Sequence, residues 1–223
     1  LGCGKEKKIS DTAFYFDTEC TITLYNIDKK KGEELIDECF ALCESYEKIL
    51  SKTVKGSDID RINTADGKPV EVSDDTIKII ETGMEMGDLS GGAFDITIGR
   101  VTDLWDFNSE NPKVPSEQEI KAAVATGDYQ QIKIEGNTVS LSLDGARLDV
   151  GGLAKGYIAD RIVDHLVDNE VTQGIVNLGG NVVTIGEKED GTPWRIGINR
   201  PYSDGSEVIG TVPASDNCVI TSG

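Results

Sequence analysis

The stretch Asp149–Asp160, "DVGGLAKGYIAD", places two glycines and a lysine where a strand-like run meets a helix. Gly151 and Gly152 allow a tight turn, which would expose backbone carbonyls on one side and the N–H groups of a helix start on the other. Those N–H groups and Lys155 could bind phosphate oxygens, and a bare carbonyl is a hard oxygen ligand suited to Mg²⁺. An ordinary strand-to-helix turn with a solvated lysine would have the same sequence.

A second candidate is "GGAFDITIG", in which Asp95 follows an aromatic residue on a glycine-rich loop. Its carboxylate could accept hydrogen bonds from a nucleobase or ribose, could bind a cation, or could simply cap the next turn. Two more glycine-bearing strand ends occur in "NLGG" and "TSG". If several such ends converge on one crevice, they could form a dinucleotide pocket without a Rossmann motif.

The common nucleotide and hydrolase signatures are missing. The sequence has no GxGxxG after a first strand, no GxxxxGK[ST] loop and no GxSxG elbow. Its one histidine, His165, lies in the predicted helix "IVDHLVD" without a second histidine or a nearby cysteine. We therefore interpret His165 as a surface or packing residue, and a Ser-His-Asp triad has no support.

The elements that must position these residues follow from periodicity. Period-two alternation predicts a strand over Phe14–Tyr25, and helical spacing predicts a helix in "GEELIDECFALCESYEKIL". Ser73 is the predicted N-cap of the next helix, and Ser116 marks the start of another. "SKTVKGSDIDRIN" is predicted to be a polar connection, and "SGGAFDITIGRVTDLWDF" a loop.

The second half of the chain contains more strands. Gly136 with Asn137 predicts a hairpin, "ARLDV" a strand, and "AKGYIADRIVDHLVDNE" a helix. "GIVNLGGNVVTIGE" is a predicted strand pair, and "PWRIGINRP" and "VIGTVPASDNCVITSG" supply further strands. This irregular order predicts an α+β fold with mixed sheets and packed helices.

Composition bounds the class of protein. The 223 residues include 40 acidic and 22 basic side chains, which gives a net charge of −18 and argues against broad affinity for nucleic acid. An anionic ligand would need a local site of lysines, backbone N–H groups or a metal ion. No run approaches the roughly 18 apolar residues of a membrane span.

The cysteines carry two expectations. "LGCG" resembles the cleavage end of a bacterial lipoprotein signal, so Cys3 is predicted to be lipidated, with residues 1–12 as a tether and 13–223 as a single domain. The alternative is that Cys3 only marks where the numbering begins. Cys39 and Cys43 are four residues apart on one helix face, unsuited to a disulfide, and no zinc-type cluster accompanies them, so buried thiols are expected.

Six segments taken together are more specific than any one of them. In order they are "SKTVKGSDIDRIN", "GGAFDITIGRVTDLWDF", "LDVGGLAKGYIADRIVDHL", "VNLGGNVVTIG", "PWRIGINRP" and "VITSG". This series, from Phe14 to Gly223, closely resembles the ApbE family of FAD:protein FMN transferases. The resemblance implies a T-fold-related α+β architecture. It also implies an enzyme that cleaves FAD with Mg²⁺ and attaches FMN through a phosphoester to a Thr or Ser of a target protein.

The resemblance also implies particular site residues. The FAD contacts would be Phe16, the run Thr53, Val54 and Lys55, Asp95, and Lys155, while the backbone carbonyl of Gly152 would be a magnesium ligand. It assigns no catalytic residue in this chain. Family members continue beyond "TSG" into a segment with a histidine and an "IDPxTG" run that completes the metal site. We therefore expect this polypeptide alone to bind Mg²⁺ weakly.

The resemblance implies partners and a location as well. The targets would be flavin-carrier subunits of membrane redox complexes of the Rnf or Na⁺-translocating NADH:quinone reductase kind. With Cys3 lipidated, the protein would be anchored at the extracytoplasmic face of the bacterial cytoplasmic membrane. Two alternatives remain open: an FAD pyrophosphatase that releases FMN and AMP, and a non-catalytic flavin-binding lipoprotein.

Overall fold

A computed structural model describes residues 8–106, 109, 112–202 and 207–221 of the chain. Cys3, Ser222 and Gly223, which the sequence singled out, lie outside the described residues. The described strands are β1 (Lys8–Tyr15), β2 (Thr18–Tyr25), β3 (Val70–Glu71), β4 (Ile132–Glu135), β5 (Thr138–Leu141), β6 (Gly174–Leu178), β7 (Asn181–Ile185), β8 (Trp194–Asn199), β9 (Val208–Ala214) and β10 (Cys218–Ile220). The described helices are α1 (Lys29–Leu50), α2 (Asp58–Thr64), α3 (Asp74–Leu89), α4 (Gly99–Asp103), α5 (Glu117–Val124) and α6 (Gly151–Asp168), with a 3₁₀ turn at Tyr129–Gln131.

The chain forms two compact units. Unit 1 contains residues 1–44 and 155–223, and unit 2 contains residues 45–154, so the divisions fall inside α1 and α6. We expected one domain over 13–223, and that boundary stays a prediction. The residues 8–12, expected in the tether, instead belong to β1, whose polar side chains pair with β2 through Ser10–Thr23 and Thr12–Thr21 hydroxyl contacts.

Unit 1 contains a five-stranded sheet in the order β1-β2-β6-β7-β10, with every neighbouring pair antiparallel. β2 and β6 lie inside the sheet, and their alternate residues are fully buried. The buried side chains of unit 1 include Ile22, Leu24, Ile36, Cys39, Ile158, Ile162, Leu166, Val176 and Leu178. β8 and β9 form a separate two-stranded sheet, in which Trp194 is buried and its Nε1 donates to the carbonyl of Ile185 at 3.2 Å.

The predicted strand Phe14–Tyr25 is wrong as a single element. The chain reverses at Phe16 and Asp17, whose φ angles are +55° and +58°, and the two halves pair as β1 and β2. Paired positive φ angles are the geometry of the tight turns that join hairpin strands. Glycine or asparagine usually marks such a turn, so a phenylalanine in this position concealed it from pattern analysis.

Unit 2 contains a three-stranded antiparallel sheet in the order β3-β5-β4 with helices α2 to α5. Asp58 ties α2 to α3: its Oδ2 accepts from the N–H of Ser73 at 2.8 Å and from Thr76 Oγ1 at 2.7 Å. Its Oδ1 accepts from Arg61 at 2.6 Å. Partial burial raises the pKa of Asp58, but these donors outweigh burial and leave the pKa below its ordinary value.

The structure confirms the α+β fold and several local expectations. Ser73 and Ser116 both cap helices, Ser116 as part of a capping box with Glu119, and β4 and β5 form the hairpin at Gly136 and Asn137. The polar connection after α1 contains α2, and the glycine-rich loop contains α4. "ARLDV" is no strand: its one β-type pairing is an isolated bridge from Arg147 to Ile98, which is also the one parallel pairing in the described chain.

No helix in the described ranges is both long enough and apolar enough to cross a membrane. The described cysteines are free thiols: Cys20, Cys39 and Cys43 are buried, as expected for Cys39 and Cys43, whereas Cys218 is exposed.

We expect a thiol reagent to distinguish these cysteines. Burial, with a smaller contribution from Glu38, raises the pKa of Cys39 from 9.0 to about 12, which lowers its thiolate fraction at pH 8 by about a thousandfold. Iodoacetamide should therefore modify Cys218 in the folded protein and leave Cys39 unmodified, as measured by peptide mass spectrometry. The same reaction in denaturant should modify both, and equal labelling in the folded state would contradict the structure.

Candidate functional site

The glycines of "DVGGLAKG" do not form the tight turn that we expected. Gly151 and Gly152 are the first two residues of α6, and neither has a positive φ. A helical carbonyl accepts from the N–H four residues later, so the Gly152 carbonyl is not a bare turn carbonyl. A Cβ at Gly152 would lie 3.4 Å from the ring of Phe94, which is an ordinary van der Waals contact. Three of the four N–H groups in the first turn of α6 already donate to Asp149 or to the Val150 carbonyl, so the Gly152 N–H is the one left for a ligand.

A cluster of four charged residues and one threonine lies next to the N-terminus of α6. The sequence analysis did not name these residues as part of the site. Lys52 Nζ lies 2.6 Å from Thr102 Oγ1, 2.8 Å from Asp103 Oδ1 and 3.0 Å from Asp149 Oδ2. Arg147 contacts the other oxygen of Asp103 at 3.0 Å. We call these five residues of unit 2 the Lys52 cluster.

Asp149 connects the Lys52 cluster to the start of α6. Its Oδ2 accepts from Thr102 at 2.7 Å, and its Oδ1 accepts from the N–H of Gly151 at 2.9 Å. Burial raises the pKa of Asp149, but these hydrogen bonds and Lys52 outweigh burial and lower it below its ordinary value. Burial alone would lower the pKa of Lys52, whereas hydrogen bonds to Asp103 and Asp149 raise it overall. Both side chains are therefore charged across the neutral range.

Asp95 has the local role that we named as its alternative. Its Oδ1 accepts from both the N–H and the hydroxyl of Thr97, at 2.7 and 2.6 Å, and its Oδ2 accepts from the N–H of Tyr129 at 3.2 Å. Asp95 also lines a surface cavity of unit 2 together with Gly91, Gly92 and Asp128. Since Oδ2 accepts one hydrogen bond, it retains a lone pair for a ligand in that cavity.

The predicted run Thr53, Val54 and Lys55 forms the loop between α1 and α2 in unit 2. Thr53 and Lys55 are exposed, and the Val54 carbonyl accepts from the N–H of Ser57 at 3.1 Å. The loop follows Lys52 directly, so the Lys52 cluster fixes one of its ends.

In unit 1, several motifs meet at one end of the five-stranded sheet. The β1–β2 turn carries Phe16, and the β6–β7 turn at Gly179 and Gly180 lies beside it, since the Gly179 N–H donates to the carbonyl of Glu19 at 3.1 Å. The carbonyl of Gly180 accepts from the Thr221 N–H at 3.0 Å. The described part of "TSG" therefore converges with "NLGG", which is the condition that we set for a pocket formed by glycine-bearing strand ends.

The same end of the sheet opens into a cavity of about 460 Å³. Polar groups of Asn177, Asn199 and Thr221 line it, together with apolar side chains from β8 and β10. The Asn177 side chain accepts from the Gly180 N–H at 2.9 Å, which fixes the turn at the rim of this cavity.

Lys155 belongs to the first turns of α6, in unit 1. It is half-buried, and its side chain makes no hydrogen bond or ion pair with any other described residue. Its neighbour Gly156 lies close to Asn181, the first residue of β7. A half-buried lysine without a carboxylate partner at the start of a helix suits an anionic ligand.

The described residues do not assemble a magnesium site. No group of three or more His, Cys, Asp or Glu among them is arranged to hold a metal ion. The carboxylate nearest Gly152 in sequence, Asp149, already accepts from Thr102, Gly151 and Lys52, and an ammonium 3.0 Å away opposes a bound cation. Of the magnesium ligands that the family resemblance implies, only Gly152 is among the residues that the structure describes, and its carbonyl belongs to a helix.

His165 lies on α6, and its Nε2 is 2.8 Å from Glu38 Oε2 on α1, in a partly exposed pair. It therefore has a surface role, as the sequence predicted.

Residues 16–223 match the ApbE family. The chain belongs to the ApbE family. The match includes the Lys52 cluster, the Asp95 loop, α6 and the converging turns of unit 1, so the resemblance inferred from six short segments is confirmed.

Relatives of this ApbE chain include proteins named FAD:protein FMN transferase. The Klebsiella pneumoniae (strain 342) protein is 33% identical over 217 residues, covering 96% of this chain. The Treponema pallidum (strain Nichols) protein is 28% identical over 241 residues, covering all of it. The chain spans 66% of the length of each, slightly less than two thirds.

Solved ApbE structures share the fold. The flavin transferase ApbE from Vibrio cholerae superposes with a TM-score of 0.85 at 28% identity, covering 98% of this chain and 72% of that one. The ApbE protein from Thermotoga maritima gives a TM-score of 0.89 at 30% identity, with 97% and 71% covered. The α+β architecture described above is therefore that of ApbE flavin transferases.

Proposed function

We propose that this chain acts as an FAD:protein FMN transferase. The observation that carries the proposal is the match over residues 16–223 to a family whose compared relatives have that name. The geometry agrees with this proposal. The half-buried side chain of Lys155 has no described partner and follows the N-terminus of α6, and Asp95 lines a surface cavity of unit 2. Helix N-termini and lysines are the groups that proteins use to bind phosphates.

The proposed reaction is a phosphoryl-type transfer. A threonine or serine hydroxyl of the target protein attacks the phosphorus on the FMN side of the FAD pyrophosphate. A P–O bond to that hydroxyl forms, the anhydride P–O bond breaks, AMP leaves, and the hydroxyl proton passes to solvent or to a base. Such transfers depend mainly on alignment and on neutralising phosphate charge. The residues that we propose for FAD are Phe16, Thr53, Val54, Lys55, Asp95 and Lys155.

We propose that the reaction depends on Mg²⁺, as the family resemblance implied. The described residues contribute at most the Gly152 carbonyl, so the other magnesium ligands would lie outside them. A full-length protein treated with EDTA should lose its transfer activity.

The test of the proposal uses the full-length protein, FAD, Mg²⁺ and a flavin-carrier subunit of an Rnf or Na⁺-translocating NADH:quinone reductase complex. Intact-mass analysis should show a carrier heavier by FMN, with AMP released in equal amount. Free FMN with an unmodified carrier would instead identify an FAD pyrophosphatase. FAD that persists bound without AMP would identify a flavin-binding protein without turnover.

We also propose that Cys3 is lipidated and anchors the protein at the extracytoplasmic face of the cytoplasmic membrane. The support is the sequence "LGCG". A Cys3→Ala variant of the full-length protein should move from the membrane fraction to the soluble fraction. An unchanged distribution would contradict the anchor without affecting the proposed reaction.

Lys155 gives a direct test of the FAD site. Removing a charge-assisted contact to phosphate should raise the Kd for FAD by about ten- to a hundredfold in Lys155→Met. The matched control is Lys30→Met, because Lys30 is 86% exposed and loses the same charge. FAD binding should be measured by fluorescence without Mg²⁺, and equal affinities of the two variants would remove Lys155 from the site.

A further inference from the structure

Lys52 stands immediately before the loop Thr53–Lys55, and its ammonium makes three short contacts within unit 2. The three partners are Thr102 and Asp103 of α4 and Asp149, which precedes α6. Through Asp149 Oδ1 the same network reaches the N–H of Gly151, the first residue of α6. One continuous set of hydrogen bonds therefore joins the beginning of the loop to the beginning of the helix.

We propose that Lys52 is a positioning residue for flavin-nucleotide binding. It fixes the position of the Thr53–Lys55 loop relative to the N-terminal turn of α6. This inference rests on the proposed function, because Thr53, Val54 and Lys55 are residues that we propose for FAD. It adds residues that the family resemblance did not supply, namely Lys52 and its partners Thr102, Asp103 and Asp149.

The hydrogen bonds of the Lys52 ammonium favour a positioning role over direct contact with the nucleotide. A lysine has three N–H donors, and the three partners of Lys52 use all of them. A phosphate oxygen could contact Lys52 only by breaking the cluster. Lys155 differs, since it has no partner among the described residues.

The charges of the Lys52 cluster also favour a positioning role for Lys52. Lys52 and Arg147 supply two positive charges, and Asp103 and Asp149 supply two negative charges. A neutral cluster exerts little net attraction on a pyrophosphate, so its contribution to binding is geometric. The side chains of Lys52 and Asp149 are only 24% and 18% exposed, so solvent screens this pair less than a surface ion pair.

The central test replaces the ammonium in the full-length protein by an apolar side chain of similar length, Lys52→Met. The Kd for FAD, measured by fluorescence without Mg²⁺, should rise about tenfold, the scale of one or two lost hydrogen bonds to a charged group. Hydrogen exchange of the ligand-free protein should become faster for the amides of residues 51–57. The control is Lys121→Met, which removes the same charge from an exposed pair with Glu117 in unit 2.

A second pair of variants guards against a Lys52→Met protein that does not fold. Thr102→Val keeps the shape and removes the hydroxyl that accepts from Lys52 and donates to Asp149, whereas Thr102→Ser keeps that hydroxyl. Thr102→Val should weaken FAD binding several-fold and speed exchange in the same loop, and Thr102→Ser should restore most of both.

The outcomes are distinguishable. If the wild-type protein binds no FAD, the proposed function fails and this inference fails with it. If the wild type binds FAD and Lys52→Met binds it as Lys121→Met does, only the positioning role is overturned. Weaker FAD binding by Lys52→Met with unchanged loop exchange and an unaffected Thr102→Val variant would show that Lys52 contacts the nucleotide itself, which also overturns the inference.

Discussion

Replacing Gly179 by alanine is expected to lower the free energy of unfolding by about 3 kcal/mol. Gly179 has a φ of +60°, and a Cβ there would lie 2.5 Å from Thr18 Oγ1 and 2.9 Å from Thr18 Cβ, with Cγ2 closer still. The new methyl group would therefore force the β6–β7 turn away from β2. Urea unfolding at pH 7 measures the loss.

The matched control is Gly191→Ala. Gly191 has a φ of +75°, but a Cβ there would meet nothing within 4 Å, so this variant isolates the cost of the backbone conformation, about 1 kcal/mol. The double variant Thr18→Ala with Gly179→Ala removes two of the three close atoms and should recover part of the lost stability. Equal losses in Gly179→Ala and Gly191→Ala would show that the turn does not press on Thr18.

Replacing Asp149 by alanine should lower the free energy of unfolding by about 2–4 kcal/mol at pH 7. The substitution removes the acceptor of Thr102, Lys52 and the Gly151 N–H together, and it leaves the partly buried ammonium of Lys52 with one carboxylate. Urea unfolding of the wild type and the variant measures this difference. Asp144→Ala is the control, because Asp144 is exposed and has no hydrogen bond or ion pair within the described ranges.

The pH dependence of that difference has a definite sign. The pKa of Asp149 in the folded protein is lower than its ordinary value of 3.8, so folding favours the charged carboxylate. Its contribution is complete above pH 3.8 and is lost as the pH falls through the folded pKa. The difference between wild type and Asp149→Ala should therefore stay constant from pH 7 to about 5 and shrink below about 4. A difference that grows on acidification would contradict the assigned contacts.

The sequence predicted correctly those local features that depend only on residues close together in the chain. Ser73 and Ser116 cap their helices because a hydroxyl reaches N–H groups three residues later, and the Gly136–Asn137 hairpin needs only its own turn. The family resemblance was equally accessible, because it depends on the order and spacing of motifs. It supplied Asp95 and Lys155, which lie in unit 2 and unit 1, respectively.

The Lys52 cluster could not be predicted in the same way. Lys52 and Asp149 are far apart in sequence. Each lies shortly before residues that the family resemblance assigns to FAD or to magnesium. Asp149 was interpreted as part of a strand, and Lys52 as part of a polar connection. Only the fold shows that the two charges meet, and that the glycines after Asp149 begin a helix whose Gly151 N–H donates to the Asp149 carboxylate.

The buried thiols of unit 1 have a consequence for the location that we propose, the extracytoplasmic face of the cytoplasmic membrane. Cys20, Cys39 and Cys43 are excluded from solvent and unbridged, so the core around them forms without an oxidation step. At that location, packing rather than a reducing environment would protect these sulfur atoms from oxidants. Maturation of this core would therefore not require the thiol-oxidising machinery on which disulfide-containing secreted proteins depend.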